Sequence, residues 1–508
     1  MDAIVAVDVG TTGTKASLIR RDGVILASAY QSYESRHEGR SLEQNPNDWW
    51  QATLKSLRAL REEQPDIRPQ AVALSGQMQD VILIGAEGLL APAILYSDTR
   101  AQAEAEAASR VIGEARLREV TGNLQDASSL LAKLLWVKSN WPEIYQKAER
   151  LFVGAHDYVA WCLCGSRATD FTTAATTGLL NLRANVWATD ILAELGLRTD
   201  WLPDLAIAEM QVGTVSAHTA GETGWPEGTP VFHGAGDVAT ATVGAGAGEP
   251  GRSYVYLGTS GWLAVTELSI PADPLTGIFN LRHPDPQRLI LVGPMLTAAG
   301  NFEWVREQFG ELEVPGVVGD GTKSHDRLNE QAGQSAPGSG GVLYLPYLAG
   351  ERAPFRDANA RGVFFGLNRK TTRADLYRAV MEGVAFSMRA IRQTMPGVSQ
   401  GTEISELSLV GGGARSRLWP QIFANMFNCR VHVLANPEEV GARGAAIIAG
   451  KALGWHSDYV PAGYFPVQTT YEPDPTAVVR YNQLFEVFRD LYPVLQPAFA
   501  RLAQANLS

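Results

Sequence analysis

Residues 3–19 read AIVAVDVGTTGTKASLI, two apolar runs rich in β-branched residues that are separated by a Gly-Thr-Thr-Gly turn. Asp22-Gly23 then lies between the second run and a third, and this dipeptide between strand-like runs is typical of a β-hairpin. Residues 1–35 therefore predict a three-stranded antiparallel meander. The first turn has neither the Gly-x-Gly-x-x-Gly of a dinucleotide site nor the Gly-Lys-Ser/Thr of a Walker loop, and a strand follows it.

The same arrangement returns in the second half of the chain. Residues 252–268 read RSYVYLGTSGWLAVTEL, again a strand-like run, a Gly-Thr-Ser-Gly turn and a second strand-like run. They follow GAGAGEPG (244–251), a glycine and proline cluster typical of a domain boundary. The repeat predicts two homologous α/β domains, residues 1–246 and 247–508. Chance is the alternative explanation, because Gly-Thr turns are common.

Length and composition narrow the class of protein. The chain has 508 residues and a formal net charge of −11, which argues against a nucleic-acid partner because such a partner needs clustered basic residues. No stretch reaches the ~18 apolar residues of a membrane span. The N-terminus lacks the pattern of a signal peptide, and three cysteines do not make a disulfide framework. The sequence predicts a cytoplasmic protein with no membrane partner.

The two Gly-Thr turns are candidate phosphate sites. Residues 10–13 and 258–261 offer unobstructed backbone N–H groups and hydroxyl donors, which together form a concavity suited to phosphate oxygens. Two such turns on facing domains would hold a polyphosphate from both sides. Asp8 precedes the first turn and is the candidate ligand for Mg²⁺, which prefers carboxylates together with phosphates. Lys15 is a candidate point charge for a transferring phosphoryl group.

Asp237 lies alone among small and apolar residues in VFHGAGDVATATVGAG (231–246). A desolvated carboxylate needs either a partner or a chemical role. The local sequence leaves two hypotheses open: a cap for the helix that follows, or a general base that accepts the proton of an alcohol during phosphoryl transfer. The predicted hinge between two phosphate sites favours the base, and the two roles are compatible.

Two further features have a functional and a structural interpretation. The glycines at 411–413 lie between a predicted strand and a predicted helix, where they permit either close approach of an adenosine or a tight turn. The eight histidines show no pair at metal-ligand spacing, so no zinc site is predicted. Trp49 and Trp50 are more consistent with a helix core than with stacking on a sugar ring.

Taken together, these segments resemble the FGGY family of carbohydrate kinases, and within it they are most similar to xylulokinases. The match runs through VAVDVGTTGTK, LSGQMQD, YLGTSGWL, GERAPFRDANARG, GVFFGLNRKTTRADLYRAVME (362–382) and LSLVGGGARS in the family's order. The resemblance implies two actin-like (ribonuclease-H-like) ATPase domains around a cleft that closes on ATP and a small sugar or polyol, with a homodimer as a candidate assembly. It implies the following roles: Asp237 as catalytic base; Asp8 as the Mg²⁺ ligand; Thr11, Thr12, Lys15, Gly258, Thr259, Gly411, Gly412, Gly413 and Ser416 on ATP; and Gln77, Met78, Gln79, Asp237 and Val238 on the sugar.

The departures from the family pattern concern the sugar. Xylulokinases usually carry His-Gly where this chain has Gln79-Asp80, Asn where it has Val238, and Lys where it has His156. Because an unpaired sugar hydroxyl is costly, Val238 and Gln79 predict a preference shifted away from D-xylulose. The expected activity is ATP-dependent phosphorylation of a terminal hydroxyl on a ketose such as xylulose or on a related sugar or polyol, with ribulose, erythritol or glycerol types as alternatives. An actin- or chaperone-like ATP-driven binding protein is the second hypothesis.

Overall fold

The computed structural model describes residues 2–268, 271–309, 321–396 and 404–505. Its N-terminal half alternates strands with helices. In chain order the elements are β1 (Ala3–Val9), β2 (Gly13–Arg20), β3 (Ile25–Ser32), β4 (Arg36–Glu38), β5 (Ser41–Gln44), α1 (Pro46–Glu63), β6 (Ala71–Gly76), β7 (Met78–Gly85), β8 (Gly88–Leu89), β9 (Ala93–Ile94), α2 (Gln102–Ile112), α3 (Glu114–Thr121), α4 (Leu130–Asn140), α5 (Pro142–Lys147), β10 (Arg150–Gly154), α6 (Ala155–Cys164), β11 (Ala168–Asp170), α7 (Phe171–Thr176), β12 (Leu180–Asn181), β13 (Val186–Trp187), α8 (Thr189–Glu194), β14 (Asp204–Ala206), β15 (Gln211–Thr214), α9 (Ala217–Thr223), β16 (Pro230–Gly236) and α10 (Asp237–Gly244).

The C-terminal half has longer helices. Its elements are β17 (Ser253–Leu257), β18 (Gly261–Glu267), β19 (Phe279–Arg282), β20 (Leu289–Met295), α11 (Ala299–Phe309), α12 (Gly321–Gly333), β21 (Leu343–Leu345), β22 (Val363–Phe365), α13 (Arg373–Gln393), β23 (Glu406–Val410), α14 (Trp419–Phe427), β24 (Arg430–Leu434), α15 (Val440–Ala452), β25 (Val467–Tyr471) and α16 (Pro475–Ala505).

The predicted meander is confirmed and forms one side of the N-terminal sheet. That sheet has the order β15-β16-β6-β1-β2-β3, in which β1, β2 and β3 are antiparallel neighbours. Strands β6 and β16 continue the sheet in parallel. All of β1 except Asp8 is buried, as expected of a central strand that is covered on both faces.

The second sheet repeats this topology, so the internal repeat predicted from the two Gly-Thr turns is confirmed. Its order is β19-β20-β18-β17-β23-β24-β25. Strands β17, β18 and β20 correspond to the first meander, and β23 and β24 continue it in parallel. Antiparallel β25 closes the far edge, as β15 does in the first sheet. The first turn of each meander therefore lies at the equivalent place in its own sheet.

Helix α1 begins where the sequence signals a helix start. The side chain of Asn45 accepts a hydrogen bond from the backbone N–H of Asn47, and Pro46 occupies the first turn. Both are favoured at these positions because the first N–H groups of a helix have no partner within it. The helix packs Trp49 and Leu57 into the N-terminal core, so the interpretation of Trp49 as a core residue is confirmed.

The two halves meet along helices α10 and α15. A Cβ on Gly244 would lie 1.8 Å from the carbonyl oxygen of Val440, and a Cβ on Gly444 would lie 1.8 Å from that of Thr240. The absence of side chains at both glycines therefore lets the two helices touch backbone to backbone. Small residues of α15 also pack on the N-terminal sheet, so a segment from late in the chain lies against β1 and β6. Within the described ranges, no helix is both long and apolar enough to cross a membrane.

Candidate active site

Asp8 lies near the end of β1, two residues before the 10–13 turn, and is the one residue of that strand that is only partly buried. Its Oδ1 accepts a hydrogen bond from Ser75 Oγ at 2.8 Å, and its cross-strand neighbour is Lys15. Burial raises the pKa of Asp8, although the Ser75 hydrogen bond opposes this shift. Asp8 Oδ2 faces Gly441, where a Cβ would lie only 2.4 Å away. Because Gly441 has no side chain, a space is left beside the carboxylate oxygen Oδ2 of Asp8. A carboxylate oxygen is the kind of ligand that fits Mg²⁺ bound together with phosphate.

Lys15 is already engaged in an ion pair. Its Nζ lies 3.2 Å from Glu439 Oε1 and donates to the carbonyl of Glu438 at 2.8 Å. Glu439 is mostly buried and also accepts from Ser17 Oγ at 2.7 Å. No local pattern indicates a role for Glu439, because its partner Lys15 lies at the opposite end of the chain. The ion pair joins β2 to the start of α15.

Asp237 is the first residue of α10 and directly follows β16. The N-cap of this helix is Gly236, with no side-chain cap hydrogen bond. The expectation that Asp237 caps the helix is therefore wrong, because the chain becomes helical at Asp237 itself. Burial and then the negative charge of Asp8 raise the pKa of Asp237 to about 7, which suits a general base working near neutral pH.

Two hydroxyl groups connect the two acids. Ser75 Oγ, which donates to Asp8, lies 2.7 Å from Thr240 Oγ1. Thr240 Oγ1 in turn lies 3.1 Å from the backbone carbonyl oxygen of Asp237. Asp8 and the backbone of Asp237 thus belong to one hydrogen-bonded assembly at the ends of β1 and β16, the two parallel strands on either side of β6, where open α/β sheets bind ligands.

The 77–80 segment comprises Gln77, which joins β6 to β7, and the first three residues of β7, and it lies beside Asp237. Met78 packs against Gly236, where a Cβ would lie 2.0 Å from the Met78 sulfur. Gln79 has a φ of 67° and its Nε2 donates to the carbonyl of Ser128 at 3.0 Å. Val238 is half-buried at the start of α10. Met78, Asp237 and Val238, all predicted to contact the sugar, are therefore brought to one place.

Gln77 is turned inward instead. It is 1% exposed, and its Nε2 donates to Gln44 Oε1 at 3.0 Å. Gln44 Nε2 in turn donates to the carbonyl of Thr11 at 2.6 Å. Gln77 thereby supports the 10–13 turn through Gln44. Thr12, at the tip of that turn, is exposed.

The second turn and the triple glycine share one cavity of about 670 Å³. Gly411 lies directly behind the cavity wall and packs against the backbone of Leu257. Its φ of 89° and the 2.8 Å that would separate a Cβ from the Leu257 carbonyl oxygen both favour glycine at this position. Ser416 has a structural role at the cavity edge, since its Oγ accepts from Trp419 N at 3.1 Å and bonds Asn329 Oδ1 at 2.7 Å. The lining comprises Leu257, Gly258, Thr259, Ala299, Gly300, Phe302, Glu303, Asp326, Asn329, Gly412, Gly413, Arg415, Ser416 and Trp419.

A buried cluster of two histidines and two aspartates lies behind Asp237. It consists of His156, Asp157, Asp170 and His233, whose nitrogen and oxygen atoms lie within 4.8 Å of one another. Sequence spacing predicts no histidine pair, because α6, β11 and β16 bring these residues together only in the folded chain. Of the four, only His156 stands out in the sequence, as a departure from the family pattern.

Comparison with known proteins shows the family to which the chain belongs. The models that match are the N-terminal domain of the FGGY family of carbohydrate kinases over residues 3–244 and its C-terminal domain over residues 253–453. The xylulose kinase of Escherichia coli (strain K12) is 30% identical over 98% of this chain and 100% of its own. The xylulose kinase of Bacillus subtilis (strain 168) is 29% identical over 97% of both chains. The crystal structure of gluconate kinase from Lactobacillus acidophilus has a TM-score of 0.89, at 27% identity and 99% coverage of both chains. The chain therefore belongs to the FGGY family of carbohydrate kinases and has the actin-like, two-domain fold of that family.

Proposed function

We propose that the protein transfers the γ-phosphoryl group of ATP to a terminal hydroxyl group of a small neutral sugar or polyol, with Asp237 as general base. Its family membership makes it a carbohydrate kinase, and the choice of hydroxyl, sugar and base is our proposal. The observation that carries it is Asp237, a half-buried carboxyl with a pKa near 7 beside the 77–80 segment and Asp8.

In the proposed reaction, Asp237 accepts the proton of the acceptor hydroxyl while that oxygen attacks the γ-phosphorus and ADP leaves. Such a transfer depends mainly on positioning and charge neutralisation. Asp8 would hold Mg²⁺, which neutralises negative charge on the phosphates. The turns at 10–13 and 258–261 offer N–H groups to the phosphates, and the cavity beside residues 411–413 has room for the adenosine. Closure of the two domains excludes the water that would otherwise hydrolyse ATP.

The electrostatics of the site support a neutral acceptor. Burial raises the pKa of Asp80 well above its usual range, and Asp237 is also shifted upward. Because negative charge is already unfavourable at these two carboxyl groups, we expect the site to disfavour a sugar acid. Gluconate, which appears in the name of one relative, is such an acid. The buried ammonium of Lys133 donates to the carbonyls of Gln79 and Leu95, so it is occupied within the fold.

The xylulose kinases among the relatives support a ketopentose as the first candidate, and ribulose, erythritol and glycerol types are the alternatives. Val238 offers an apolar surface where those relatives' family pattern has an amide. We therefore expect D-xylulose to be accepted but not to be the best substrate. An ATP-driven binding protein is less well supported, since it leaves Asp237 and the 77–80 segment without a role.

A panel of ketoses, aldoses, polyols and gluconate, each mixed with protein and Mg-ATP, tests the proposal. ADP release is followed by a coupled assay, and acceptors are ranked by kcat/KM. We expect strong stimulation by a neutral sugar or polyol and little by gluconate. A panel with no stimulation contradicts the kinase assignment, whereas gluconate as the best acceptor contradicts the electrostatic argument.

A further inference from the structure

The buried cluster formed by His156, Asp157, Asp170 and His233 has close internal contacts. None of the four is more than 1% exposed. His156 Nε2 lies 3.0 Å from Asp170 Oδ2 and 3.4 Å from Asp157 Oδ1, and His233 Nε2 lies 3.3 Å from Asp157 Oδ1. Groups of this kind are too costly to bury without either a bound cation or a set of protons that balances their charges.

A metal ion fits this cluster poorly. Asp170 Oδ2 already accepts from Thr173 Oγ1 at 2.5 Å and from Gly236 N at 3.2 Å, in addition to its contact with His156. It has no lone pair left for a metal. A metal-bound imidazole almost always donates its other N–H to an acceptor, yet Nδ1 of His156 and Nδ1 of His233 have no hydrogen-bond partner among the described residues. Hydrogen bonds from His156, Thr173 and Gly236 form a network around Asp170, whereas His233 Nε2 and Asp157 Oδ1 have no hydrogen-bond partner among the described residues.

Asp170 is the centre of that network. Its second oxygen, Oδ1, accepts from the backbone N–H groups of Thr172 and Thr173 and so caps α7. Five donors therefore converge on one buried carboxylate, which satisfies it only while it is ionised. Although burial opposes ionisation, the hydrogen bond from His156 holds the pKa of Asp170 at about 2. Burial likewise opposes the charge on His156, but the neighbouring carboxylates of Asp157 and Asp170 raise its pKa.

The contact with Gly236 connects this network to the reaction centre. Gly236 is the N-cap of α10, so its N–H lies at the point where the chain turns from β16 into the helix. Asp237 follows immediately and has no side-chain cap to fix that turn. The direction of the Asp237 carboxylate therefore depends on where Asp170 holds the preceding peptide.

We propose that Asp170, held in place by His156, is a positioning residue that fixes the Gly236 peptide and thereby directs the Asp237 carboxylate toward the acceptor hydroxyl. The inference rests on the proposed function of Asp237 as general base. It assigns the cluster an indirect role, because none of its members needs to touch the sugar or the nucleotide. Since a misplacement of about 1 Å costs on the order of 100-fold in rate, loss of this anchor has a measurable effect on kcat.

The test compares Asp170→Asn with Asp237→Ala and with the double variant, all in the full-length protein. We expect Asp170→Asn to lower kcat by about 10- to 100-fold and to leave the KM for Mg-ATP unchanged. In the Asp237→Ala background the same substitution is expected to cause no further loss. A wild-type kcat in Asp170→Asn, or an equal loss in both backgrounds, overturns the proposal. If Asp237→Ala alone retains normal turnover, the proposed function fails instead.

Two controls separate positioning from general stability. Glu382→Gln removes another buried carboxylate, one that bonds Arg378 and Ser339 in the C-terminal half, and it is expected to lower Tm without lowering kcat. If Asp170→Asn does not fold, His156→Lys and His156→Gln replace it: the charged variant should retain more kcat than the neutral one. Equal kcat in these two variants overturns the proposal, as does one equivalent of zinc or another transition metal found by elemental analysis of the purified protein, since histidine nitrogens prefer such metals to Mg²⁺.

Discussion

Substitution of Gly441 by alanine places a methyl group against the candidate magnesium ligand. Gly441 lies in the first turn of α15, and a Cβ there would be 2.4 Å from Asp8 Oδ2 and 3.0 Å from Asp8 Cγ. Real Cβ contacts do not come closer than 3.0 Å, so the carboxylate and the helix must separate by more than half an ångström. Ser75 holds the other oxygen of Asp8 at 2.8 Å, which prevents the side chain from simply rotating away.

The expected cost falls on catalysis and not on folding. A displacement of this size, at a group that positions phosphate and metal, corresponds to a fall in kcat of about 10- to 100-fold, by scaling from the ~100-fold cost of 1 Å. The same methyl group adds helix propensity of up to ~1 kcal/mol, which offsets part of any packing strain. We therefore expect a large loss of rate and a small change in Tm.

The assay measures kcat and the apparent affinity for Mg²⁺ and ATP in Gly441→Ala, with the best acceptor at saturation. Gly221→Ala is the matched control, because Gly221 lies inside helix α9 with open space around its Cβ position. We expect normal kinetics in the control. Wild-type kcat and Mg²⁺ dependence in Gly441→Ala would refute the assignment of Asp8 and the space beside it to the metal.

Three further predictions concern pH, specificity and stability. Because only ionised Asp237 accepts a proton and its pKa is about 7, kcat should fall by about tenfold per pH unit below pH 7, and a flat profile between pH 5.5 and 7.5 contradicts this. Val238→Asn should improve kcat/KM for D-xylulose relative to other acceptors by about fivefold, the effect of one added hydrogen bond of ~1 kcal/mol, and an unchanged ranking contradicts it. Burial lowers the pKa of His283 to about 3, so the folded state holds it neutral while the unfolded chain protonates it below about pH 6.5. The free energy of unfolding from urea titration should therefore drop by about 2 kcal/mol between pH 7 and pH 5, with a smaller drop in His283→Asn.

The parts of the fold that local patterns encode were predictable from the sequence. Alternation of apolar residues and the Asp22-Gly23 turn specify the meander, and the second Gly-Thr turn reveals the repeat. Asp237 was identifiable because an isolated acid among small residues is rare enough to need an explanation. These signals arise within about 20 residues of chain, where backbone preferences and turn chemistry act directly.

The contacts that complete the site were not predictable in this way. Glu439 pairs with Lys15, and Gly441 covers Asp8, only because α15 packs on β1 and β2, strands formed more than 400 residues earlier in the chain. The buried cluster is likewise assembled from α6, β11 and β16, and no spacing pattern in the sequence indicates it. Asp237 does not cap α10 for a local reason. A capping residue precedes the first helical residue, whereas Asp237 is itself the first residue of the helix.

In the proposed function, Asp237 accepts the proton of the sugar hydroxyl. The decisive measurement is single-turnover phosphoryl transfer by Asp237→Asn with the best acceptor, alongside the dissociation constant for ATP. We expect the transfer rate to fall by about 100- to 10,000-fold, the usual contribution of a general base, and the ATP affinity to stay close to that of the unmodified protein. Transfer within a few-fold of the normal rate would show that Asp237 is not the base.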